Sequence, residues 1–131
     1  MRLLLDTHIA LWAVLGSSKL SDQATTLIVG QTMPVTLSIA SLWEIALKNN
    51  LGRVVRDPIG LTLADAQAEF EEAAFTILPI EPRHLTMVER LEQHHGDPFD
   101  RLLVSIAMSD GYLLVTHDRR LAPYGDHVLL V

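Results

Sequence analysis

The chain contains no cysteine. That absence removes a disulfide scaffold, a thiolate zinc site, an iron–sulfur cluster and a cysteine nucleophile at once. Long apolar runs are missing too: nothing approaches the ~18 uninterrupted apolar residues that a membrane-crossing helix requires. Positive charge is scarce. Ten basic residues stand against sixteen acidic ones, for a net charge of −6, which argues against nucleic-acid binding by bulk positive charge. Several catalytic signatures are also absent. There is no G-x-x-x-x-G-K-S/T or G-x-G-x-x-G cradle for nucleotide phosphates, no H-E-x-x-H, and no G-x-S-x-G elbow. The start, Met1-Arg2-Leu3-Leu4-Leu5-Asp6, meets an acid too early for a signal peptide. A cytoplasmic, membrane-free protein is expected.

What is present is an ordinary globular balance. The 131 residues are 49% apolar and 20% charged, enough for one domain, 1–131, with a core of its own. Short apolar runs alternate with helix-like segments. Strands are expected at Leu3–Leu5, Val35–Ser38, Phe75–Ile80, Tyr112–Thr116 and Val128–Val131. Helices are expected at Ile9–Leu15, from Ser21 to Gly30, and at Ile39–Asn49, Leu61–Ala74, Leu85–Gln93 and Pro98–Asp110. Alternation of this kind predicts βαβ units and a mostly parallel sheet. The runs Leu3–Leu5 and Leu113–Val115 are continuously apolar, as befits strands covered on both faces.

In open parallel sheets, chemistry gathers beyond the carboxyl ends of the strands. Four acids fall there. Asp6 follows the first strand, Glu44 lies early in the helix after the second, Asp100 sits in the first turn of its helix, and Asp118 follows the Tyr112–Thr116 strand. Converging carboxylates repel and raise one another's pKa. A hard divalent ion such as Mg²⁺ or Mn²⁺ relieves that repulsion and supports phosphodiester hydrolysis. Each acid also has a plainer use. Asp6 and Asp97 can cap helices, Ser41-x-x-Glu44 has capping-box spacing, and Asp118 suits a turn. Asp100 can simply complement the helix dipole.

Around the four acids lies a wider set placed to support them or to touch substrate: Thr7, Lys48, His95, Asp97, Arg101 and Thr116. Lys48 is one turn after Glu44 and can pair with it. His95 has no metal-ligand spacing, so a surface or capping role is the plainer expectation. Arg101, Arg119 and Arg120 adjoin two of the acids, and Arg53 and Arg56 follow the Glu44 helix; together they suggest a local basic rim. By contrast, the stretch from Asp65 to Glu92 carries seven acids against two arginines.

Four ordered motifs then carry a resemblance over almost the whole chain. They are Leu3-Leu4-Leu5-Asp6-Thr7-His8, Ser41-Leu42-Trp43-Glu44-Ile45-Ala46-Leu47-Lys48 with Gly52, His95-Gly96-Asp97-Pro98-Phe99-Asp100-Arg101-Leu102-Leu103, and Leu114-Val115-Thr116-His117-Asp118. Together they resemble the PIN-domain ribonucleases, in particular the VapC-like toxins of toxin–antitoxin pairs. The resemblance implies a three-layer α/β/α sandwich and a Mg²⁺- or Mn²⁺-dependent endoribonuclease that halts translation. Asp6, Glu44, Asp100 and Asp118 would be its acids. It also implies a cognate antitoxin covering the active site, and a homodimer, for which the apolar faces of the two N-terminal helices are a candidate surface. Three rival readings stand beside it: a phosphatase using Asp6 as nucleophile, a receiver-like phosphoacceptor, and a non-catalytic partner-binding module whose acids only cap.

Overall fold

A computed structural model describes residues 1–52 and 59–131. Five strands, β1 (Arg2–Leu5), β2 (Thr36–Ser38), β3 (Thr76–Leu78), β4 (Tyr112–Thr116) and β5 (Val128–Leu130), form one sheet in the order β3-β2-β1-β4-β5. Every neighbouring pair is parallel, with Leu4 opposite Thr36 and Leu114 in register. Six α-helices are described: α1 (Thr7–Leu15), α2 (Asp22–Val29), α3 (Ile39–Leu51), α4 (Leu63–Glu72), α5 (Pro82–Arg90) and α6 (Pro98–Asp110). A 3₁₀ turn at Arg119–Tyr124 joins β4 to β5. Among the described residues no helix is long and apolar enough to cross a membrane.

The pleat sorts the core into two halves. Leu3 and Leu5 point to one face, where Ile9, Leu11, Ile45, Ala66 and Phe70 from α1, α3 and α4 cover them. Leu4 and Leu114 point to the other, under Leu103, Val104, Ile106 and Ala107 of α6. Successive side chains of a strand alternate in direction, so a continuously apolar strand needs helices on both sides. The three-layer α/β/α sandwich follows. Gly111, at φ 73°, ends α6 and turns the chain straight into β4, a conformation glycine adopts at little cost.

Several boundaries differ from expectation, and caps explain them. Helix α1 begins at Thr7 rather than Ile9, because the Asp6 carbonyl at the N-cap position already accepts the first helical bond, from the Ala10 N–H at 3.0 Å. Thr62 caps α4 by accepting from the Asp65 N–H at 3.1 Å, so that helix starts at Leu63. Helix α5 spans Pro82–Arg90 instead of Leu85–Gln93. Its start is set by Pro82 at the first turn and by the Glu81 N–H donating to His84 Nδ1 at 2.9 Å.

That histidine also locks α5 to α6. With Nδ1 accepting, Nε2 carries the proton and donates to Asp110 Oδ2 at 2.8 Å. Arg83 adds a two-pronged pair to the same carboxylate at 2.9 Å, and holds Asp110 far below the usual carboxylate range. His84 is fully buried. Asp110→Ala strands its N–H without a partner, which is expected to cost about 1–3 kcal/mol. Urea unfolding of the two proteins measures this; an unchanged midpoint and slope would assign the lock no role.

Candidate active site

The strand order reverses between β1 and β4: the chain adds β2 and β3 on one side of β1, then β4 and β5 on the other. A reversal of this kind opens a crevice at the carboxyl ends of the two strands. Asp6 leaves β1 and Asp118 follows β4, so both flank that crevice. Glu44 reaches it from α3, and Asp100 from the first turn of α6.

Burial and hydrogen bonding show how each acid is held. Asp6 is buried and sits at the N-cap of α1, yet its side chain makes no capping bond. It accepts instead from Thr116 Oγ1 at 2.6 Å. Burial, reinforced by the nearby Glu44 charge, pushes its carboxyl above the ordinary range, against the opposing effect of the Thr116 hydroxyl. The capping-box reading of Glu44 is overturned: Ser38, not Ser41, is the N-cap of α3 and accepts from the Ala40 N–H. Glu44 is buried, accepts from Thr7 Oγ1 at 2.7 Å, and pairs with Lys48 Nζ at 2.8 Å. Lys48 therefore takes the paired role rather than a free substrate contact. Ser41, whose hydroxyl lies 2.8 Å from that of Thr7, joins this network. Its spacing to Glu44 had suggested only a cap.

Asp97 is the N-cap of α6, with Oδ1 accepting from the N–H groups of Phe99 and Asp100 at 2.8 and 3.1 Å. Asp118 plays a turn role as well, capping the 3₁₀ segment and meeting the Arg120 fork at 3.0 and 2.8 Å. Arg120 lowers its carboxyl pKa.

His95 is the main revision. Its side chain is 9% exposed, not a free surface group. Nε2 lies 2.9 Å from Asp100 Oδ2 and 3.8 Å from Asp118 Oδ2. The sequence separation of five between His95 and Asp100 shows no helical pattern, because the imidazole approaches from the loop before α6. Arg101 fixes that loop. Its Nη1 lies 3.2 Å from the Glu92 carbonyl, 3.1 Å from Gln93 Oε1 and 3.4 Å from the His95 carbonyl. So Arg101 faces the loop rather than a substrate rim, and Arg120 is already committed to Asp118. Arg53 and Arg56 lie outside the described residues. The basic rim is accordingly reduced.

Asp100 carries the electrostatic signature. Burial and the charges of Asp6, Asp97, Glu44 and Asp118 push its carboxyl up to about 8. A carboxyl raised by burial and by like charges around it marks a place that a cation would relieve. Donor atoms of His95, Asp100 and Asp118 all lie within 4.8 Å of one another. Carboxylate oxygens suit Mg²⁺ or Mn²⁺, and an imidazole nitrogen adds a softer donor. The residues present fit a divalent ion.

Solved structures share this architecture. The chain superposes on the VapBC2 toxin–antitoxin complex of Rickettsia felis, bound to a DNA fragment from their promoter, with TM-score 0.68 and 15% identity, covering 100% of this chain and 98% of that one. It superposes on a toxin–antitoxin complex from Klebsiella pneumoniae with TM-score 0.66 and 14% identity, covering 97% and 95%. At these identities the likeness is one of fold. No curated protein matches the chain. The PIN domain family profile, however, matches residues 3–126, nearly the full length. This chain belongs to the PIN domain family.

Proposed function

We propose that the protein is a divalent-metal-dependent endoribonuclease and the toxin of a toxin–antitoxin pair. The observation that carries the reading is the gathering of acids around Asp100 at the carboxyl edge of a parallel sheet: burial, and then the charges of Asp6, Asp97, Glu44 and Asp118, raise its carboxyl. Membership of the PIN family supports it. The receiver-like and phosphatase readings fit less well, because Asp6 is buried and already bonded to Thr116.

In this mechanism Asp6, Glu44, Asp100 and Asp118, with His95 beside them, would hold Mg²⁺ or Mn²⁺. Such an ion supplies charge neutralisation at the phosphodiester and a water of lowered pKa. The chain's own residues keep the acids in place. Thr116 orients Asp6, Thr7 and Lys48 orient Glu44, Asp97 fixes the α6 turn that presents Asp100, and Arg101 holds the loop that carries His95. Water attacks phosphorus in line and the 3′ oxygen leaves, giving 5′-phosphate and 3′-hydroxyl ends.

The decisive experiment is RNA cleavage with Mn²⁺, with EDTA, and with Asp6→Asn. Cleavage is expected only in the first, with 5′-phosphate products. Hydrolysis of a small phosphate ester without RNA cleavage would instead favour the phosphatase.

The reading includes protein partners, a cognate antitoxin and a second copy. Helix α3 exposes Ile39, Trp43, Leu47 and Leu51 at four-residue spacing, a stripe that suits burial against another chain. An antitoxin arginine is the complement expected for the acid cluster.

A further inference from the structure

Beside the acids, and separate from the bonds described so far, lies a cavity of about 510 Å³. That falls within the ~300–1,000 Å³ range of small-ligand sites. Helix α1 lines it with His8, Trp12 and two leucines, the segment just after β4 with His117, and Ser17, Lys19 and Ile59 complete it. Three rings meet there. The centroids of His8 and Trp12 are 5.9 Å apart, those of His8 and His117 6.1 Å, and those of Trp12 and His117 4.7 Å. All three pairs are tilted or edge-on, at 52–74°. No ring lies flat on another.

Position adds to the case. His8 is two residues beyond Asp6. His117 lies between Thr116, which holds Asp6, and Asp118. Both imidazoles lie near enough to Asp6 for their charges to act on its carboxyl, so the cavity neighbours the acids although none of the four lines it. Its rim cation, Lys19, is exposed on a chain that is acidic overall. An apolar peptide anchor would not call for an imidazole pair and a lysine. A base joined to a phosphate would use all three. Base–aromatic stacking is tolerant of base identity, because every base has a π face.

Resting on the nuclease reading above, we propose that this cavity is a nucleotide subsite. The base next to the scissile phosphate stacks against Trp12 in the cavity that His8 and His117 flank, and Lys19 meets its phosphate. The carboxylates then act on the neighbouring bond.

Trp12 reports on its own occupancy. The chain has two tryptophans, so Trp43→Phe leaves Trp12 as the sole indole. In that background, with Mn²⁺, adenosine 5′-monophosphate is expected to quench fluorescence saturably. Ribose 5-phosphate, which lacks the base, should bind roughly tenfold more weakly or worse. Lys19→Glu, at an exposed position that cannot disturb the core, should weaken the nucleotide severalfold. In the protein with both tryptophans, Trp12→Leu should raise the KM for RNA by about tenfold or more. Trp12→Phe should largely restore it, which a merely unfolded variant would not do.

Equal binding of the nucleotide and the base-free sugar phosphate would overturn the subsite. So would a wild type that cuts RNA while no nucleotide quenches Trp12, an outcome that leaves the nuclease reading intact. Quenching by a bound antitoxin and by no nucleotide would assign the cavity to protein docking instead. A protein that neither binds nucleotide nor cuts RNA with Mn²⁺ would overturn both readings.

Discussion

Replacing Asp100 with asparagine is expected to stabilise the metal-free protein while abolishing its chemistry. In the fold this carboxyl stays protonated up to a pH of about 8, whereas its ordinary value is 3.8. Above pH ~4 the unfolded chain therefore sheds the proton that the folded chain retains. Stability contributed by this site falls as pH climbs from ~4 toward ~8, then levels off. Asparagine cannot ionise, so it escapes that cost. The gain at pH 8 should be on the order of a few kcal/mol, or roughly 5–15 °C in melting temperature for a chain of this size. Thermal unfolding in EDTA at pH 5 and pH 8 reads both the gain and its pH dependence. In the same variant, Mn²⁺ binding by calorimetry and RNA cleavage should be lost. A variant that melts no higher at pH 8 and still binds Mn²⁺ would remove Asp100 from the site. Toxicity that persists in the variant would favour the non-catalytic partner-binding module. The opposed signs make the experiment informative, since a residue that only completed a helix turn would lose stability on replacement.

The second large effect is on metal affinity. If the ion binds Asp100 in its ionised form, binding must first displace a proton whenever the pH is below about 8. Apparent Mn²⁺ affinity should then rise by up to about tenfold per pH unit between pH 6 and pH 8, and flatten above that. The same ion should stabilise the fold. At a hundredfold excess over its Kd, the gain is about 2.7 kcal/mol. Calorimetry across that pH range, with heats compared in two buffers, counts the protons released. Affinity independent of pH, with no proton release, would place the ion away from Asp100. His95→Ala gives a companion measurement. Loss of the imidazole should weaken Mn²⁺ more than Mg²⁺, because the remaining donors are oxygens.

The local sequence was enough to place most of the framework. Parallel βαβ architecture follows from the alternation of short apolar runs with amphipathic segments, and two-sided cover follows from Leu3–Leu5 being apolar without a break. The Asp97–Pro98 helix start is equally local: a side-chain cap, then a proline whose missing N–H costs nothing there. These features depend on residues within one or two turns of each other. Even so, α5 began three residues before its expected start, because His84 turns back to bond the Glu81 N–H.

What only the tertiary structure decided is how each acid is used. Asp6 has the right place to cap α1, but its carboxylate is taken by Thr116, 110 residues away in the chain. Ser41 and Glu44 have the spacing of a capping box, yet the helix starts at Ser38 and Glu44 turns inward to Thr7 and Lys48. Arg101 adjoins Asp100 in sequence but faces the opposite way, into the loop of Glu92 to His95. That loop is what brings an imidazole to two carboxylates. The three-ring cavity likewise joins α1 to the end of β4. Spacing along a chain records only neighbours within a helix turn or along a strand. The reversal of strand order between β1 and β4 is a long-range property. It turns four carboxylates at strand ends and helix starts into one charged crevice.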